Sequence, residues 1–365
     1  MKELFSQINL ANKHTIKNRI AMAPMTTYSS NDDLTISDQE IEYYKHRNNQ
    51  VGLLITGCTF VSENGIGFTN QFAGYDDKFI PSLSQLAQVT KAGGAKAILQ
   101  IFHAGNKAPS KLVQDIVSAS NVAPANSNLK VRELSEQEIQ QIIQDFGHTT
   151  RRAIQAGFDG IEIHGAHGFL IQNFLSPYFN KRNDQWGGSI QNRMRFALEI
   201  VKQVKQVVEQ ENKKDFIIGY RISPDEPIEN GLKVIDTLQL TEKLVNLGVD
   251  YIHTSLFQAY QSKPQGYEKT YVELFAQQIN QRATLISAGQ IQTPDQAKQV
   301  LNLGADLVAL GQVLITDPDW IKKTLSGNED QIEHALSCKK VKELKLPDLM
   351  WEKIQKTPGW FEIKD

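Results

Sequence analysis

The feature that most constrains the fold is a series of eight short apolar segments separated by amphipathic ones. The apolar segments span residues 19–25, 51–60, 95–102, 158–165, 216–223, 249–255, 283–289 and 305–312. Short runs rich in Ile, Leu, Val and Ala are typical of parallel strands that are buried on both faces. Eight such strands that alternate with helices predict an α/β protein with a (β/α)₈ TIM barrel.

The boundaries of the intervening segments carry helix signals. Residues 135–157 open with Ser135 three positions before Glu138, which is the spacing of a capping box. Residues 189–210 and 293–304 have the same amphipathic character, and Pro294 suits a first helical turn. A glycine precedes several strands by about three residues and is expected to end the preceding helix. An open doubly wound sheet is the rival fold, but no G-x-G-x-x-G turn follows the first strand, which disfavours its dinucleotide-binding form.

Charge and cysteine content exclude several classes of protein. The 39 basic and 41 acidic residues give a net charge of −2, so nothing favours nucleic acid or an anionic membrane as a partner. Two cysteines, Cys58 and Cys338, cannot form a four-cysteine iron–sulfur site. So few cysteines in a long chain are typical of a protein that resides in a reducing compartment. Because neither a signal-peptide run nor a span of about 20 apolar residues is present, we expect a cytoplasmic protein.

The chain is expected to divide into two parts. Residues 1–320 are predicted to form the barrel. Residues 321–365 are predicted to form a helical tail, which packs on the barrel or on a neighbouring subunit of a homo-oligomer.

The ends of the predicted strands hold the candidate active-site residues, because TIM barrels build their active sites there. These positions carry Pro24, Met25, Thr26, Thr27, Tyr28, Gly57, Cys58, Gln100, His103, His164, His167, Arg221, Gly289, Gly311 and Gln312. Glycines after the last two strands suit a phosphate bound by backbone N–H groups. No strand end offers paired carboxylates or a lysine nucleophile. A bound cofactor is therefore expected to supply the chemistry.

The histidine pair at the fourth strand admits several interpretations. His164 and His167 lie together at the active end of a barrel strand, which favours a catalytic role. They also fit metal ligation or a structural role, although no third ligand stands nearby in the sequence. Arg221 likewise fits a structural ion pair, and Tyr28 fits ordinary packing.

Two longer motifs carry a family resemblance. The segment HGAHGFLIQNFLSPYFNKRNDQWGGSIQNRMRF spans residues 164–196, and NRIAMAPMTTYSS spans residues 18–30. Together they resemble the old yellow enzyme family, the FMN-dependent NADH:flavin oxidoreductases and ene-reductases. The nearest likeness is to the bacterial branch without an iron–sulfur cluster, and it covers roughly residues 2–320. The resemblance implies tightly bound FMN, with NADH or NADPH as the reductant.

The resemblance also implies a set of cofactor contacts. Thr26 would meet the O4/N5 edge of the flavin, Gln100 its O2 and N3 atoms, and Arg221 its N1 and O2 atoms. A fixed cation beside N1 stabilises the negative charge of a reduced flavin. The full implied set is Ala23, Pro24, Met25, Thr26, Cys58, Gln100 and Arg221 around the ring, and Gly289, Gly311 and Gln312 at the phosphate.

The same likeness gives the histidine pair a role. His164 and His167 would hold the carbonyl oxygen of an α,β-unsaturated, enone-like substrate while hydride passes from flavin N5 to the β-carbon. Many relatives have a tyrosine proton donor where this chain has Phe169, so Tyr28 or solvent is expected to supply the proton. The family commonly has arginine at the position of Gln312, and often alanine or glycine at that of Cys58.

Three functions follow from these observations. The first is an NAD(P)H-dependent flavin oxidoreductase that reduces activated C=C bonds by ping-pong hydride transfer. The second, motivated by Phe169, is a flavin-binding regulatory or storage barrel with incidental turnover. The third is a metal-dependent lyase or hydrolase barrel that uses His164 and His167 as ligands. The choice between NADH and NADPH, and the physiological substrate, stay open.

Overall fold

A closed barrel of eight parallel strands forms the centre of the protein. The structure is a computed structural model that describes residues 3–10, 14–48, 50–124 and 127–364. The barrel strands are β1 (Ile20–Met22), β2 (Leu53–Ile55), β3 (Lys96–Phe102), β4 (Gly160–Gly165), β5 (Ile217–Ile222), β6 (Tyr251–Ser255), β7 (Thr284–Ala288) and β8 (Leu307–Leu310). Consecutive strands pair, and β8 pairs with β1 to close the ring. Each strand lies within one predicted apolar segment, which confirms the (β/α)₈ prediction.

Helices follow each barrel strand and surround the barrel. They are α1 (Asp38–Lys45), α2 (Ile80–Lys91), α3 (Glu136–Ala156), α4 (Leu170–Leu175), α5 (Ile190–Gln210), α6 (Val234–Asn246), α7 (Tyr271–Ile279), α8 (Pro294–Asn302), α9 (Gln312–Thr316), α10 (Trp320–Leu325) and α11 (Asp348–Gln355). Short strands outside the barrel span Ile8–Leu10, His14–Ile16, Thr59–Phe60, Ile116–Ser118, Val131–Glu133, Leu336–Ser337 and Ile363–Lys364. Within the described part of the chain, no helix has both the length and the apolar character that crossing a membrane requires.

The helix boundaries follow the predicted signals. The N–H of Glu138 donates to Ser135 Oγ at 3.3 Å, and the N–H of Ser135 donates to Glu138 Oε2 at 2.7 Å. This capping box begins α3, and α3 ends at Gly157, whose φ of 90° lies in the left-handed region that glycine adopts without strain. Pro294 is the first residue of α8, after the N-cap Thr293. Local capping chemistry therefore sets where these helices start and stop.

Aliphatic side chains fill the barrel below its mouth. The fully buried set includes Leu53, Ile98, Ile217, Ile286 and Leu307, one from each of five strands. The antiparallel strands Ile8–Leu10 and His14–Ile16 cover the amino-terminal end of the barrel and add Leu10 and Ile16 to the same cluster. The floor is thus packed and closed, which leaves the carboxyl ends of the strands as the accessible end.

The segment after the barrel is only partly helical. Besides α10 and α11, it contains the strands Leu336–Ser337 and Ile363–Lys364, which pair in parallel. The N–H of Met350 in α11 donates to Ser29 Oγ at 3.2 Å, so this helix contacts the loop after β1. The outer ends of the two predicted parts, residues 1–2 and 365, lie outside the described residues.

Candidate active site

Strand register brings polar side chains from four neighbouring strands to adjacent levels of the barrel mouth. Gln100 on β3 is paired with Glu162 on β4, and Arg221 on β5 is paired with both His164 on β4 and His253 on β6. None of these side chains is more than 7% exposed. Glu162 is not among the predicted site residues because it lies in the middle of its predicted strand. His253 has no predicted role there, although it is as close to the end of its predicted strand as Gln100 and Arg221 are to theirs.

A cavity of about 430 Å³ opens at this mouth. That volume is within the range of small-molecule and cofactor sites. The predicted residues that line it are Ala23, Met25, His167, Arg221, Gly289, Gly311 and Gln312. The lining residues that the sequence did not single out include Ser255, Leu256, Ala288, Gln290 and Trp360. Predicted residues on or just after β1, β4, β5, β7 and β8 thus converge on one space.

His164 is a neutral imidazole with an assignable tautomer. The N–H of Ala166 donates to His164 Nδ1 at 3.2 Å, so the ring hydrogen is assigned to Nε2. Burial, followed by the proximity of His167 and the charge of Arg221, lowers the pKa of His164 well below its usual value. The ring therefore offers one N–H donor at neutral pH.

His167 is fixed by a serine and an arginine. His167 Nε2 lies 2.7 Å from Ser255 Oγ, and Arg221 Nη2 donates to the same oxygen at 3.1 Å. The serine hydroxyl accepts from the guanidinium, and its second lone pair and its own hydrogen allow it either to accept from His167 Nε2 or to donate to it. Burial and the charge of Arg221 lower the pKa of His167 well below its usual value. Ser255, the last residue of β6, is thus a site residue that no sequence motif indicates.

Phe169 lies in an aromatic cluster against the histidine pair. Its ring centroid is 5.0 Å from those of both His164 and Phe102, and 6.1 Å from that of Phe68, all edge to face. Lys107 Nζ lies 5.7 Å from the Phe169 ring and donates to His167 O at 2.6 Å. Position 169 is therefore part of an apolar wall beside the histidine pair.

Thr26 and Cys58 lie beside each other after β1 and β2. Thr26 Oγ1 is 3.7 Å from Cys58 Sγ, and Gln71 Nε2 donates to the Cys58 carbonyl at 2.6 Å. Burial raises the pKa of the Cys58 thiol to about 12. Cys58 is therefore a neutral thiol at physiological pH, in keeping with a small packing residue.

Tyr28 and Gln312 both contact the carboxyl-terminal segment. The Tyr28 ring lies edge to face with Phe68 at 5.5 Å and with Trp360 at 6.2 Å. Burial raises the pKa of Tyr28 to about 12, so its hydroxyl is protonated at neutral pH. Gln312 Nε2 donates to the Trp360 carbonyl at 2.6 Å. One wall of the cavity is thus contributed by a residue near the end of the chain.

The chemistry of this mouth fits FMN. Arg221 Nε is buried and has no hydrogen-bond partner within the described residues, so an N–H donor remains for a ligand. Gly311 has no side chain to fill the space beside Met25, where an added Cβ would lie 3.3 Å from the sulfur. A guanidinium, a carboxamide and bare backbone are groups that recognise a flavin edge and a phosphate. A TIM barrel with this mouth defines a flavin-dependent oxidoreductase.

Comparison with known proteins gives the family. The model of the NADH:flavin oxidoreductase / NADH oxidase family matches residues 3–331. The probable NADH-dependent flavin oxidoreductase YqiG of Bacillus subtilis (strain 168) is 42% identical over 368 residues, which cover 100% of this chain and 99% of that protein. The structure of morphinone reductase in complex with tetrahydroNAD has 27% identity and a TM-score of 0.77, covering 90% of this chain and 92% of that one. The chain belongs to the NADH:flavin oxidoreductase / NADH oxidase family, the old yellow enzyme family, and uses FMN with a nicotinamide nucleotide.

Some relatives are much longer than this chain. The NADH:fumarate oxidoreductase of Klebsiella pneumoniae (strain 342) is 35% identical over 359 residues, which cover 96% of this chain but 38% of that protein. The NADH:acrylate oxidoreductase of Vibrio harveyi is 37% identical over 361 residues, covering 96% of this chain and 36% of that protein. The chain thus spans little more than a third of each of these two proteins.

Proposed function

We propose that this enzyme reduces the activated C=C bond of α,β-unsaturated carbonyl compounds with hydride taken from NADH or NADPH. The observation that carries the proposal is the arrangement of His164 and His167. Both rings are neutral and both are fixed by hydrogen bonds. His164 keeps its Nε2–H as a donor, and His167 presents an Nδ1–H donor when Ser255 donates to its Nε2. Paired donors of this kind bind a carbonyl oxygen and stabilise the negative charge that develops on it.

The residues of the mouth have different roles in this reaction. Bound FMN would supply hydride transfer, first from the nicotinamide and then to the substrate, at one site. His164 and His167 polarise the substrate carbonyl, which makes the β-carbon electrophilic. The buried guanidinium of Arg221 supplies a fixed positive charge and, through Ser255, orients His167. We further propose that Ala23, Pro24, Met25, Thr26, Cys58, Gln100, Gly289, Gly311 and Gln312 hold the cofactor.

The proton for the α-carbon needs a source other than residue 169. Phe169 has no exchangeable hydrogen and lies against His164. Tyr28 keeps its hydroxyl hydrogen at neutral pH because its pKa is raised to about 12. We therefore propose Tyr28 or solvent as the donor.

The names of two relatives support the substrate class. Fumarate and acrylate, which appear in the names of NADH:fumarate and NADH:acrylate oxidoreductase, both contain a C=C bond conjugated to a carboxyl group. Because the chain spans little more than a third of those proteins, we extend their substrate class to this chain only as part of the proposal.

Phe169 also favours a second candidate function. A barrel that binds flavin for regulation or storage would not need a proton donor at that position. The metal-dependent alternative has less support. Across residues 3–10, 14–48, 50–124 and 127–364, no group of three or more His, Cys, Asp or Glu side chains is placed to hold a metal ion.

Rapid-mixing spectroscopy of the holoenzyme tests the proposal. The protein is reduced with NADH without oxygen and then mixed with 2-cyclohexenone, with cyclohexanone as the saturated control. We expect the enone alone to restore the oxidised flavin spectrum. The His164→Ala/His167→Ala variant should keep its yellow colour but lose at least about 100-fold in this step. The matched control is His148→Ala, at an exposed position on α3.

The outcomes separate the candidates. Unchanged enone reduction in the double variant would show that the histidines do not bind the carbonyl. Failure of the enone to reoxidise the reduced wild-type protein would favour the regulatory or storage function.

A further inference from the structure

A buried carboxylate beneath the cavity has no part in the proposed reaction. Glu162 lies in the middle of β4 and is 0% exposed. An ionised group in such a position requires partners, because burial deprives the charge of its stabilisation by water. The partners of Glu162 are side chains of β3, β5 and β6, and two of them, Gln100 and Arg221, are the residues proposed to hold the flavin ring.

The first partner is Gln100. Gln100 Nε2 donates to Glu162 Oε1 at 2.7 Å. Because an ionised carboxylate only accepts hydrogen bonds, this contact fixes which end of the Gln100 amide faces the protein. The carbonyl oxygen of Gln100 is left for a ligand, together with the second hydrogen of Nε2. Glu162 thus selects one of two amide orientations that are otherwise similar in shape.

The second partner is His253. His253 Nδ1 lies 2.8 Å from Glu162 Oε2, and His253 Nε2 is buried without a partner among the described residues. Burial lowers the pKa of His253 below its usual value, although Glu162 opposes the shift. The ring is therefore a neutral donor, and it leaves the charge of the carboxylate in place.

The third partner is the charge of Arg221. Burial raises the pKa of Glu162, but His253, Arg221 and the hydrogen bond from Gln100 outweigh it and hold this pKa below its usual value. Arg221 is buried as well, and its guanidinium stays charged in proteins. The buried base of the mouth thus contains the negative charge of Glu162 and the positive charge of Arg221. In this low-dielectric environment each charge interacts strongly with neighbouring groups.

We propose that Glu162 is a positioning residue that orients the Gln100 amide toward the flavin and offsets the charge of Arg221, and so sets the reduction potential of the bound cofactor. The inference rests on the proposed placement of the flavin beside Gln100 and Arg221. A reduced flavin carries more negative charge than an oxidised one. Arg221 favours the reduced form, whereas Glu162 opposes it. Removal of the carboxylate charge should therefore raise the potential.

The test measures the flavin potential of the Glu162→Gln holoenzyme by equilibration with redox dyes. A neighbouring charge commonly shifts an equilibrium by about tenfold or more. We expect reduced FMN to gain about tenfold in affinity relative to oxidised FMN, which is about 30 mV upward for a two-electron couple. His253→Asn, which keeps a donor and changes no charge, should leave this ratio within about twofold. An unchanged or lower potential in Glu162→Gln overturns the inference.

A double-mutant cycle tests the orienting role separately. Titration of the apoproteins with oxidised FMN, followed by flavin fluorescence, should show weaker binding by Glu162→Gln. That loss should disappear in a Gln100→Ala background, where no amide remains to orient. Equal losses in both backgrounds overturn the orienting role.

A second variant covers the case in which Glu162→Gln does not fold. Glu162→Asp keeps the charge and should keep the affinity ratio within about twofold of the wild type, and a tenfold rise would contradict the charge argument. Neither measurement uses an enone. Failure of the wild-type enzyme to reduce an enone would therefore contradict the proposed function and not the role of Glu162. Equal flavin potentials in the wild type and in Glu162→Gln would contradict the role of Glu162 and not the proposed function.

Discussion

The imidazole rings of His164 and His167 meet edge to face, with centroids 4.9 Å apart and an interplanar angle of 81°. Two protonated rings would repel each other at this distance, so the arrangement requires that they stay neutral. His167 has a backbone φ of 62°, which is uncommon for a residue with a side chain. Strain of this kind is typical of functional positions.

The neutrality of the pair makes stability depend on pH. In the unfolded chain these histidines bind protons near pH 6.5, whereas in the folded protein their pKa values are lowered, so the unfolded state takes up more protons as the pH falls. The free energy of unfolding should therefore decrease from pH 7 to pH 5. Urea unfolding at both pH values measures this slope. If the free energy of unfolding of His164→Ala/His167→Ala decreased equally between pH 7 and pH 5, the two histidines would not be the cause of the pH dependence.

Phe169→Tyr should add the missing proton donor. The new hydroxyl would lie in the aromatic cluster beside His164, where the proposed substrate binds. We expect the rate of enone reduction by the reduced enzyme to be unchanged or to rise by up to about tenfold, which is below the usual range for a well-placed general acid. Rapid mixing measures it. Phe68→Tyr in the same cluster is the control, and a collapse of the rate in Phe169→Tyr would assign Phe169 a role of shape.

Gln312→Arg should tighten FMN binding. Gln312 lines the cavity at the proposed phosphate end, where a guanidinium would add a charge-assisted hydrogen bond. Such a bond contributes about 1.5–3 kcal/mol, which is about tenfold or more in Kd. Fluorescence titration of the apoprotein measures the effect. Gln140→Arg on the exposed face of α3 controls for net charge. An equal gain in FMN affinity in both variants would show that Gln312 does not lie at the phosphate site.

Gly219→Ala should destabilise the barrel. An added Cβ on β5 would lie 2.0 Å from Tyr251 Cζ, and the Tyr251 ring is completely buried. Overpacking of this kind costs about 1–3 kcal/mol and here should reach the upper end. Urea unfolding measures the loss. Replacing the obstructing ring in Gly219→Ala/Tyr251→Leu should give a loss smaller than the sum of the two single variants, and strict additivity would contradict the steric explanation.

The barrel could be predicted from sequence because its strands and helix caps are local patterns. The run around Ile161 and the Ser135–Glu138 box each identify their element without any distant contact. The partners of Glu162 could not be predicted in this way. Gln100 and His253 are 62 and 91 positions away in the chain, and only strand pairing brings them together.

The same limit explains what was missed at the cavity wall. Trp360 is 48 positions from Gln312 in the chain, and no local pattern indicates that the two are in contact. The charged tail is predicted to be helical. Among the described residues, the strands Leu336–Ser337 and Ile363–Lys364 pair only with each other, so their extended form depends on a contact across the tail.

The protonated thiol of Cys58 has a consequence for the lifetime of the enzyme. Dioxygen that meets a reduced flavin yields hydrogen peroxide, and thiolates near its source are the groups it damages first. A thiol whose pKa is raised to about 12 is almost never a thiolate, so it reacts slowly. Peptide mass spectrometry after peroxide exposure should find the exposed Cys338 oxidised before the buried Cys58. Preferential oxidation of Cys58 would contradict this. Burial of that sulfur would protect the enzyme from its own by-product.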